Sequence, residues 1–98
     1  MARSETPTFL SDSKTSTSVG TAVAIGTSQR VKSLVIVAKD NNTDAVYVGG
    51  SDVGSATNRG LLPGDALSIP AVNWLDLANV YIDVKVSGEG VDYYAVKA

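Results

Sequence analysis

Short apolar runs alternate with clusters of Gly, Pro, Asn and Asp along most of the chain, and this pattern predicts a small β domain. The alternation is clearest where Val80, Ile82, Val84 and Val86 are separated by more polar residues. Side chains of a strand point alternately to its two faces, so such a run buries one face only. Extended helical patterns are absent, and turn residues recur at short intervals. The sequence therefore predicts about six or seven short strands.

The predicted strands begin at Val19. They are assigned to residues 19–25, 31–38, 45–49, 66–69, 80–86 and 91–97. The unbroken apolar run 34–38 favours a strand that is buried on both faces or one that lies centrally in its sheet. Pro70 is predicted to end the strand before it, because proline has no N–H to donate to a ladder. The sequence Gly88-Glu-Gly90 is predicted to turn the last two strands into an antiparallel hairpin.

Two segments between these strands have a less regular pattern. Residues 50–64 are rich in Gly, Ser and Asn, and they predict a long surface loop whose Leu61-Leu62 pair folds back onto the domain. Residues 73–79 fit either one helical turn or an irregular crossover. The resulting fold class is all-β: a small antiparallel two-sheet β-sandwich, jelly-roll-like, with an extended N-terminal arm.

The predicted arm spans residues 1–18, and the sandwich domain spans residues 19–98. Ser, Thr, Pro, Lys and Asp dominate the arm, and Phe9-Leu10 is its only large apolar pair. A segment of this composition buries too little apolar surface to offset the entropy lost on ordering. We therefore expect either a flexible tail or an arm that is held by its own domain or by a neighbouring chain, with Phe9-Leu10 as the anchor.

Composition argues against catalysis. The 98 residues include no His and no Cys, so neither a histidine base nor a cysteine ligand is available. Nucleophilic catalysis would be left with a Ser-Lys arrangement, and no spacing recommends one. We predict a protein that is not an enzyme and needs no cofactor. A thin core without disulfides favours oligomerisation or docking on a larger partner.

Charge and hydropathy limit the possible partners. Ten acidic and eight basic residues are scattered along the chain, whereas a nucleic-acid surface needs concentrated Lys and Arg. The longest apolar run, Leu34–Ala38, is far too short to span a bilayer. The first residues also lack the apolar core of a secretory signal. We expect a soluble protein made in the cytoplasm, with neither nucleic acid nor membrane as partner.

Two polar segments have weak site-like patterns. Asp40, Asn42 and Asp44 alternate as in the first half of a calcium loop, but Ala45 and Ser51 stand where that loop needs Gly and Glu. Asx turns explain the same residues. The glycine-rich stretch 49–54 lacks the Lys-Ser/Thr ending of a phosphate loop, so a strand end is the simpler interpretation. No metal site is predicted.

The aromatic residues are the best candidates for a contact surface. Trp74 and four tyrosines at positions 47, 81, 93 and 94 fit a sugar-stacking platform or an interface anchor, although Trp74 beside two leucines is also typical of a core. Tyrosines on alternating faces cannot all be buried. The predicted partner contacts are Phe9, Leu10, Trp74, Tyr81 and Tyr94.

Four segments in this order resemble small virion proteins of tailed bacteriophages. They read Ala22-Val-Ala-Ile, Val46-Tyr-Val-Gly-Gly-Ser-Asp-Val, Leu62-Pro-Gly-Asp-Ala-Leu-Ser-Ile-Pro and Leu77-Ala-Asn-Val-Tyr-Ile. Over residues 19–96 the chain looks like the β-sandwich head decoration (cement) proteins and the capsid-attached domains of head fibres. The resemblance implies a virion protein on the capsid exterior, made in the host cytoplasm, that clamps neighbouring capsomers of the major capsid protein, often as a trimer. It implies no catalytic residues.

Two functions are therefore expected from the sequence. The first is capsid decoration, with residues 1–18 lying along the capsid and adding a strand to an exposed sheet edge. The second is a fibre-base or carbohydrate-binding module that presents its loops to a host surface. The 50–64 loop and the surplus tyrosines are the best support for the second function.

Overall fold

The structure is a computed structural model, which describes residues 8–54 and 60–98, with only the backbone at positions 71 and 72. The strands are β1 (Phe9–Ser16), β2 (Val23–Ala24), β3 (Arg30–Ala38), β4 (Val46–Gly49), β5 (Gly60–Leu61), β6 (Ala66–Asp76), β7 (Tyr81–Val84) and β8 (Glu89–Lys97). One 3-10 turn, Leu77–Asn79, separates β6 from β7. These residues include no α-helix.

The eight strands form two four-stranded antiparallel sheets. Sheet A has the order β1-β8-β3-β6, and sheet B has the order β2-β7-β4-β5. The first strand pairs with the last, the second with the seventh, the third with the sixth and the fourth with the fifth. One long hairpin folded over on itself gives this pairing, which is the jelly-roll topology. The all-β, two-sheet sandwich predicted from the sequence is confirmed.

The core lies between the two sheets and is built from alternate residues of the central strands. In β3 the buried positions after the bulge are Leu34, Ile36 and Ala38, and the residues between them are partly exposed. The largest fully buried side chains are Ile25, Leu34, Ile36, Ile82, Val31, Val46, Val84 and Val91. Aliphatic residues fill this space because facing sheets leave only about 10 Å between their backbones.

Strand β1 belongs to the sandwich, although it lies within the segment predicted as the arm. It pairs with β8 over its whole length, from Phe9 opposite Val96 to Ser16 opposite Glu89. Sheet A therefore begins at Phe9, ten residues before the predicted start of the domain at Val19. A strand this polar is stable here because it lies at a sheet edge, where main-chain bonds and the single inward apolar side chain of Leu10 hold it. Residues 1–7 of the predicted arm lie outside the described residues.

The prediction that Pro70 ends its strand is wrong. Strand β6 continues to Asp76, and Pro70 lies opposite Ser33. Because β6 is an edge strand, a proline there need not remove a ladder bond. Beyond Pro70 the register shifts: residues 71–74 of β6 stand against Lys32 alone before pairing resumes between Val31 and Leu75. This bulge makes the second half of β6 irregular.

The predicted hairpin between the last two strands is also wrong. Strand β7 pairs with β2 and β4 in sheet B, whereas β8 pairs with β1 and β3 in sheet A. Gly88, with a φ of 90°, lies in the turn where the chain crosses between sheets. The predicted strand 19–25 shrinks to Val23–Ala24, after a bend at Gly20 with a φ of 78°. Both errors come from partners that local alternation does not reveal.

Gly90 gives a direct test of how β1 and β8 pack. A Cβ atom at this position would overlap the carbonyl oxygen of Lys14 on β1. We expect Gly90→Ala to lower the free energy of unfolding by about 2–3 kcal/mol, because β1 must move away from β8. Urea unfolding followed by circular dichroism measures this change. Gly50→Ala is the matched control, since its Cβ would meet nothing closer than 3.6 Å. Equal stability of the two variants would contradict this account of the close approach.

Candidate interaction surface

Sheet A is the larger of the two sheets in the described residues, with strands of 8 to 11 residues against 2 to 4 in sheet B. Val91, Tyr93 and Ala95 of β8 point into the core, so the alternate residues Tyr94 and Val96 point outward. We call this outward surface the sheet A face. The register assigns it Phe9, Ser11, Ser13, Ser33, Val35, Val37, Ala66, Ser68, Pro70, Asp92, Tyr94 and Val96.

Small, hydroxylic and apolar side chains dominate the sheet A face, and it carries little charge. Among the residues assigned above, Asp92 is the one carboxylate, and it accepts a hydrogen bond from the Lys39 ammonium at 2.6 Å. Beside Trp74, Arg30 and Asp76 lie opposite each other and add one charge of each sign. Val35 and Val37 are only partly buried although they lie on the central strand β3. A nearly neutral surface of this kind can be covered by a protein partner with little cost for removing charge from water.

Phe9 and Tyr94 form a stacked pair at the β1 edge of the sheet A face. Their ring centroids are 6.3 Å apart and their planes are inclined by 19°. Phe9 is 67% exposed and Tyr94 is 41% exposed. The two rings pack against each other while much of their surface stays in water. Half-exposed aromatic side chains are typical anchors of protein interfaces.

Trp74 lies at the opposite edge of the same face, on the bulge of β6. Leu75 packs on the core, so Trp74 beside it points outward and remains 49% exposed. The guanidinium of Arg30 lies 4.1 Å from the centroid of the Trp74 ring, which is a cation–π contact. The aromatic groups at the two edges are three strand spacings apart, about 14 Å.

Asp76 links the Arg30 end of the sheet to the turn that follows. Its carboxylate accepts hydrogen bonds from the N–H of Ala78 at 2.9 Å, the hydroxyl of Ser28 at 2.7 Å and the N–H of Gln29 at 3.1 Å. The bond from Ala78, followed by the one from Ser28, lowers the pKa of Asp76 below its ordinary value. The charge of Arg30 acts in the same direction. The carboxylate thus fixes the start of the 3-10 turn.

The other predicted contact residues lie elsewhere. Leu10 points into the core, so Phe9 alone of the predicted anchor pair is open to a partner. Tyr81 lies on the outward side of sheet B, where it packs beside Tyr47 and Val53 and is half-buried. The structure therefore brings Phe9 and Tyr94 together, places Trp74 on the same face, and separates Leu10 and Tyr81 from them.

Sheet B has one unusual polar residue on its outward side. Asp83 is buried opposite Tyr47, and its Oδ1 atom has no hydrogen-bond partner. Within residues 8–54 and 60–98, no three side chains of His, Cys, Asp or Glu lie close enough together to hold a metal ion. A lone carboxylate gives no basis for assigning a ligand.

The calcium-like segment 40–44 uses its polar groups within the protein. The side chain of Asn42 is buried and bonds both the N–H and the carbonyl of Gly90. The Glu89 carboxylate accepts from the N–H and hydroxyl of Thr43, at 2.6 and 2.7 Å. The Asp44 carboxylate accepts from the N–H of Ala45. These bonds favour the turn interpretation over a calcium loop. Glu89 was missed in the sequence because its partners lie 45 and 46 residues away.

A groove of about 600 Å³ lies where the sandwich is open, between β5 and β6. Leu61, Leu62 and Leu67 line it, together with smaller apolar residues. Its one acidic residue, Asp65, has a carboxylate that accepts a hydrogen bond from the N–H of Leu62. The groove is therefore apolar and does not bring together reactive side chains.

Comparison of the chain with protein-family models, curated proteins and solved structures finds no match. Among the residues that the structure describes, no helix is long and apolar enough to cross a membrane.

The bonds to Asp76 predict a pH dependence of stability. Because its pKa is lower in the folded state, the ionised carboxylate stabilises the fold above its ordinary value of about 4, and this contribution is lost as pH falls through the lower folded value. We expect Asp76→Asn to lower the melting temperature at pH 7 and to lose less stability than wild type on acidification. Thermal unfolding from about pH 7 to pH 2 measures both effects. Asp40→Asn, in an exposed turn, is the control for removal of one charge. Parallel pH profiles for wild type and Asp76→Asn would contradict the assignment.

Proposed function

We propose that this chain is a non-enzymatic virion structural protein that binds the outer surface of a phage capsid and stabilises it by bridging neighbouring capsomers. The observation that carries the proposal is the sheet A face, an exposed, nearly neutral surface with aromatic anchors at both edges. Phe9 and Tyr94 would contact the major capsid protein at one edge, and Trp74 would do so at the other. A contact of this kind needs shape and apolar area rather than reactive groups.

The size of the sheet A face supports a role that depends on many copies. Four strands about 4.8 Å apart and about 25 Å long present a surface of roughly 500 Å². Stable protein pairs usually bury about 800 Å² on each partner. A single copy would therefore bind weakly, whereas many copies on one shell would together resist the separation of capsomers.

The capsid itself is proposed because of the resemblance of residues 19–96 to head decoration proteins. The jelly-roll topology is compatible with that role, since this architecture is common in virion proteins. The resemblance implies a trimer, and the ultracentrifugation described in the next subsection distinguishes a trimer from the two-fold pair proposed there. Location on the capsid exterior is part of the same proposal.

Carbohydrate recognition is a second candidate, and one observation favours it. Jelly rolls also occur in lectins, and the half-exposed ring of Trp74 presents an aromatic face on which a sugar could stack. Arg30 against the ring restricts its orientation. The depression of about 330 Å³ on the sheet A face is wide open and is not lined by Trp74. Capsid binding is therefore the better-supported function.

Co-sedimentation with capsids that lack this protein tests the proposal. We expect saturable binding at fixed positions, and we expect the double variant Phe9→Ala/Tyr94→Ala to bind at least about tenfold more weakly because both anchors are removed. Val19→Ala is the matched control, since Val19 is also exposed and apolar but lies in the turn between β1 and β2, outside sheet A. Thermal unfolding checks that each variant folds.

Two further variants separate the candidate functions. Deletion of residues 1–7 tests the predicted arm without removing β1. Trp74→Ala tests sugar binding on a glycan array. Absence of capsid binding together with glycan binding that depends on Trp74 would replace the decoration role with the recognition role. Capsid binding that is unaffected by the loss of both Phe9 and Tyr94 would show that the sheet A face is not the contact.

A further inference from the structure

Strand β1 is the longest uninterrupted free edge in the part of the fold that is described. The edge strands of sheet B, β2 and β5, have two residues each. The other edge of sheet A, β6, is interrupted by Pro70 and by the bulge that follows it. Strand β1 has eight residues, and neither a proline nor a register shift interrupts it. Natural proteins usually protect such edges, because unpaired main-chain groups attract another strand.

The hydrogen bonds of β1 show which residues face the free edge. The carbonyl of Thr8 accepts from the N–H of Lys97, so Thr8 and every second residue after it face β8. The N–H and carbonyl groups of the intervening residues, Phe9, Ser11, Ser13 and Thr15, therefore point away from the sheet. The N–H of Ser13 is accordingly outside the ladder, and it donates at 2.8 Å to the carboxylate of Asp12.

We propose that two copies of this chain pair through β1 in antiparallel fashion, with Ser13 opposite its own copy on a two-fold axis. The two A sheets would then form one continuous eight-stranded sheet. The Ser13 residues would exchange main-chain hydrogen bonds, and Ser11 would pair with Thr15 of the second copy. This contact does not depend on the proposed capsid role.

Charge complementarity selects this register from its neighbours. With residue 13 on the axis, Asp12 of each copy lies directly opposite Lys14 of the other, which gives two opposite-charge pairs. With residue 12 or residue 14 on the axis, two Asp12 or two Lys14 side chains face each other. With residue 11 on the axis, Asp12 faces Leu10. Opposite charges stabilise directly opposed positions of a strand pair, and like charges destabilise them.

The charges of Asp12 and Lys14 also explain why β1 would pair with a second copy of itself and not with an unrelated strand. Inward-pointing charges on an edge strand disfavour pairing that would leave them unmatched. In the free chain, the Asp12 carboxylate accepts a hydrogen bond from the N–H of Ser13. In the pair, the Ser13 N–H would bond the opposing Ser13 carbonyl, and Asp12 would be released to Lys14 of the second copy. An unrelated strand would not place a lysine opposite Asp12 and an aspartate opposite Lys14.

A charge-exchange cycle tests the proposal by analytical ultracentrifugation of the full chain up to about 1 mM, a range that detects weak pairs. We expect a monomer–dimer equilibrium that Asp12→Lys and Lys14→Asp each weaken by about tenfold or more, because each creates two like-charge pairs. The double variant Asp12→Lys/Lys14→Asp should restore association. Asp40→Lys and Lys85→Asp make the same charge changes at exposed positions off β1 and should leave it unchanged.

Single cysteines test the register independently, since the chain contains no Cys. The Cα atoms of a hydrogen-bonded antiparallel pair are about 5.5 Å apart, within reach of a disulfide. Ser13→Cys should therefore form a covalent dimer on oxidation. Ser11→Cys should not, because the two copies of residue 11 would be about 14 Å apart. Circular dichroism confirms that each variant is folded.

Three outcomes would overturn the proposal. A chain that remains monomeric throughout the concentration range would mean that Asp12 and Lys14 only guard the edge. A trimer would replace the two-fold contact with another arrangement. Preferential cross-linking of Ser11→Cys would place the axis in a different register. Hydrogen exchange gives a further check. If the β1 amides become protected only when the chain is bound to capsids, a capsid strand and not a second copy pairs with β1.

Discussion

The rest of the structure depends on the pairing of β8 with both β1 and β3. This strand comes last in the chain, yet it lies inside sheet A and joins the first strand to the core. At its beginning, Gly90 lies against the Lys14 backbone while its own N–H and carbonyl bond the side chain of Asn42. Segments that contain Lys14, Asn42 and Gly90 are far apart in the chain but meet here, and a side chain at position 90 would not fit between them. The neighbouring Glu89 carboxylate holds the 40–44 turn in the same place.

This arrangement also determines which surfaces remain open. Alternation along β8 directs Val91, Tyr93 and Ala95 into the core and therefore places Tyr94 and Val96 on the sheet A face. Burial raises the pKa of Tyr93, and the negative charge of Asp12 acts in the same direction. Its neighbour Tyr94 stacks on Phe9 in water. Adjacent tyrosines thus serve the interior and a proposed partner surface, because a strand has two faces.

The two proposed contacts use different parts of sheet A and are compatible with each other. Capsid binding would use outward side chains, whereas self-pairing would use the main-chain groups at the β1 edge. A two-fold pair would double the area of the sheet A face and place two stacks of Phe9 and Tyr94 on one surface. Joining two weak contacts raises the effective concentration of the second once the first has formed. Self-pairing could therefore strengthen attachment without adding new contacts to each copy.

The sequence alone determined the strand class and the turn character of residues 40–44, because alternation and turn residues act over a few neighbours. For the 31–38 run it left burial on both faces and a central position open, and the sheet order decided for the central position. It could not determine that Pro70 lies within an edge strand, that residues 80–97 divide between two sheets, or that Phe9 begins the sandwich. Ladder partners decide those features, and they lie tens of residues away. For the same reason, Trp74 and Tyr94 could be named from composition, but their shared face could not. The chain pairs as one rolled hairpin, and this pairing decides which face of each strand is buried and which is exposed to solvent.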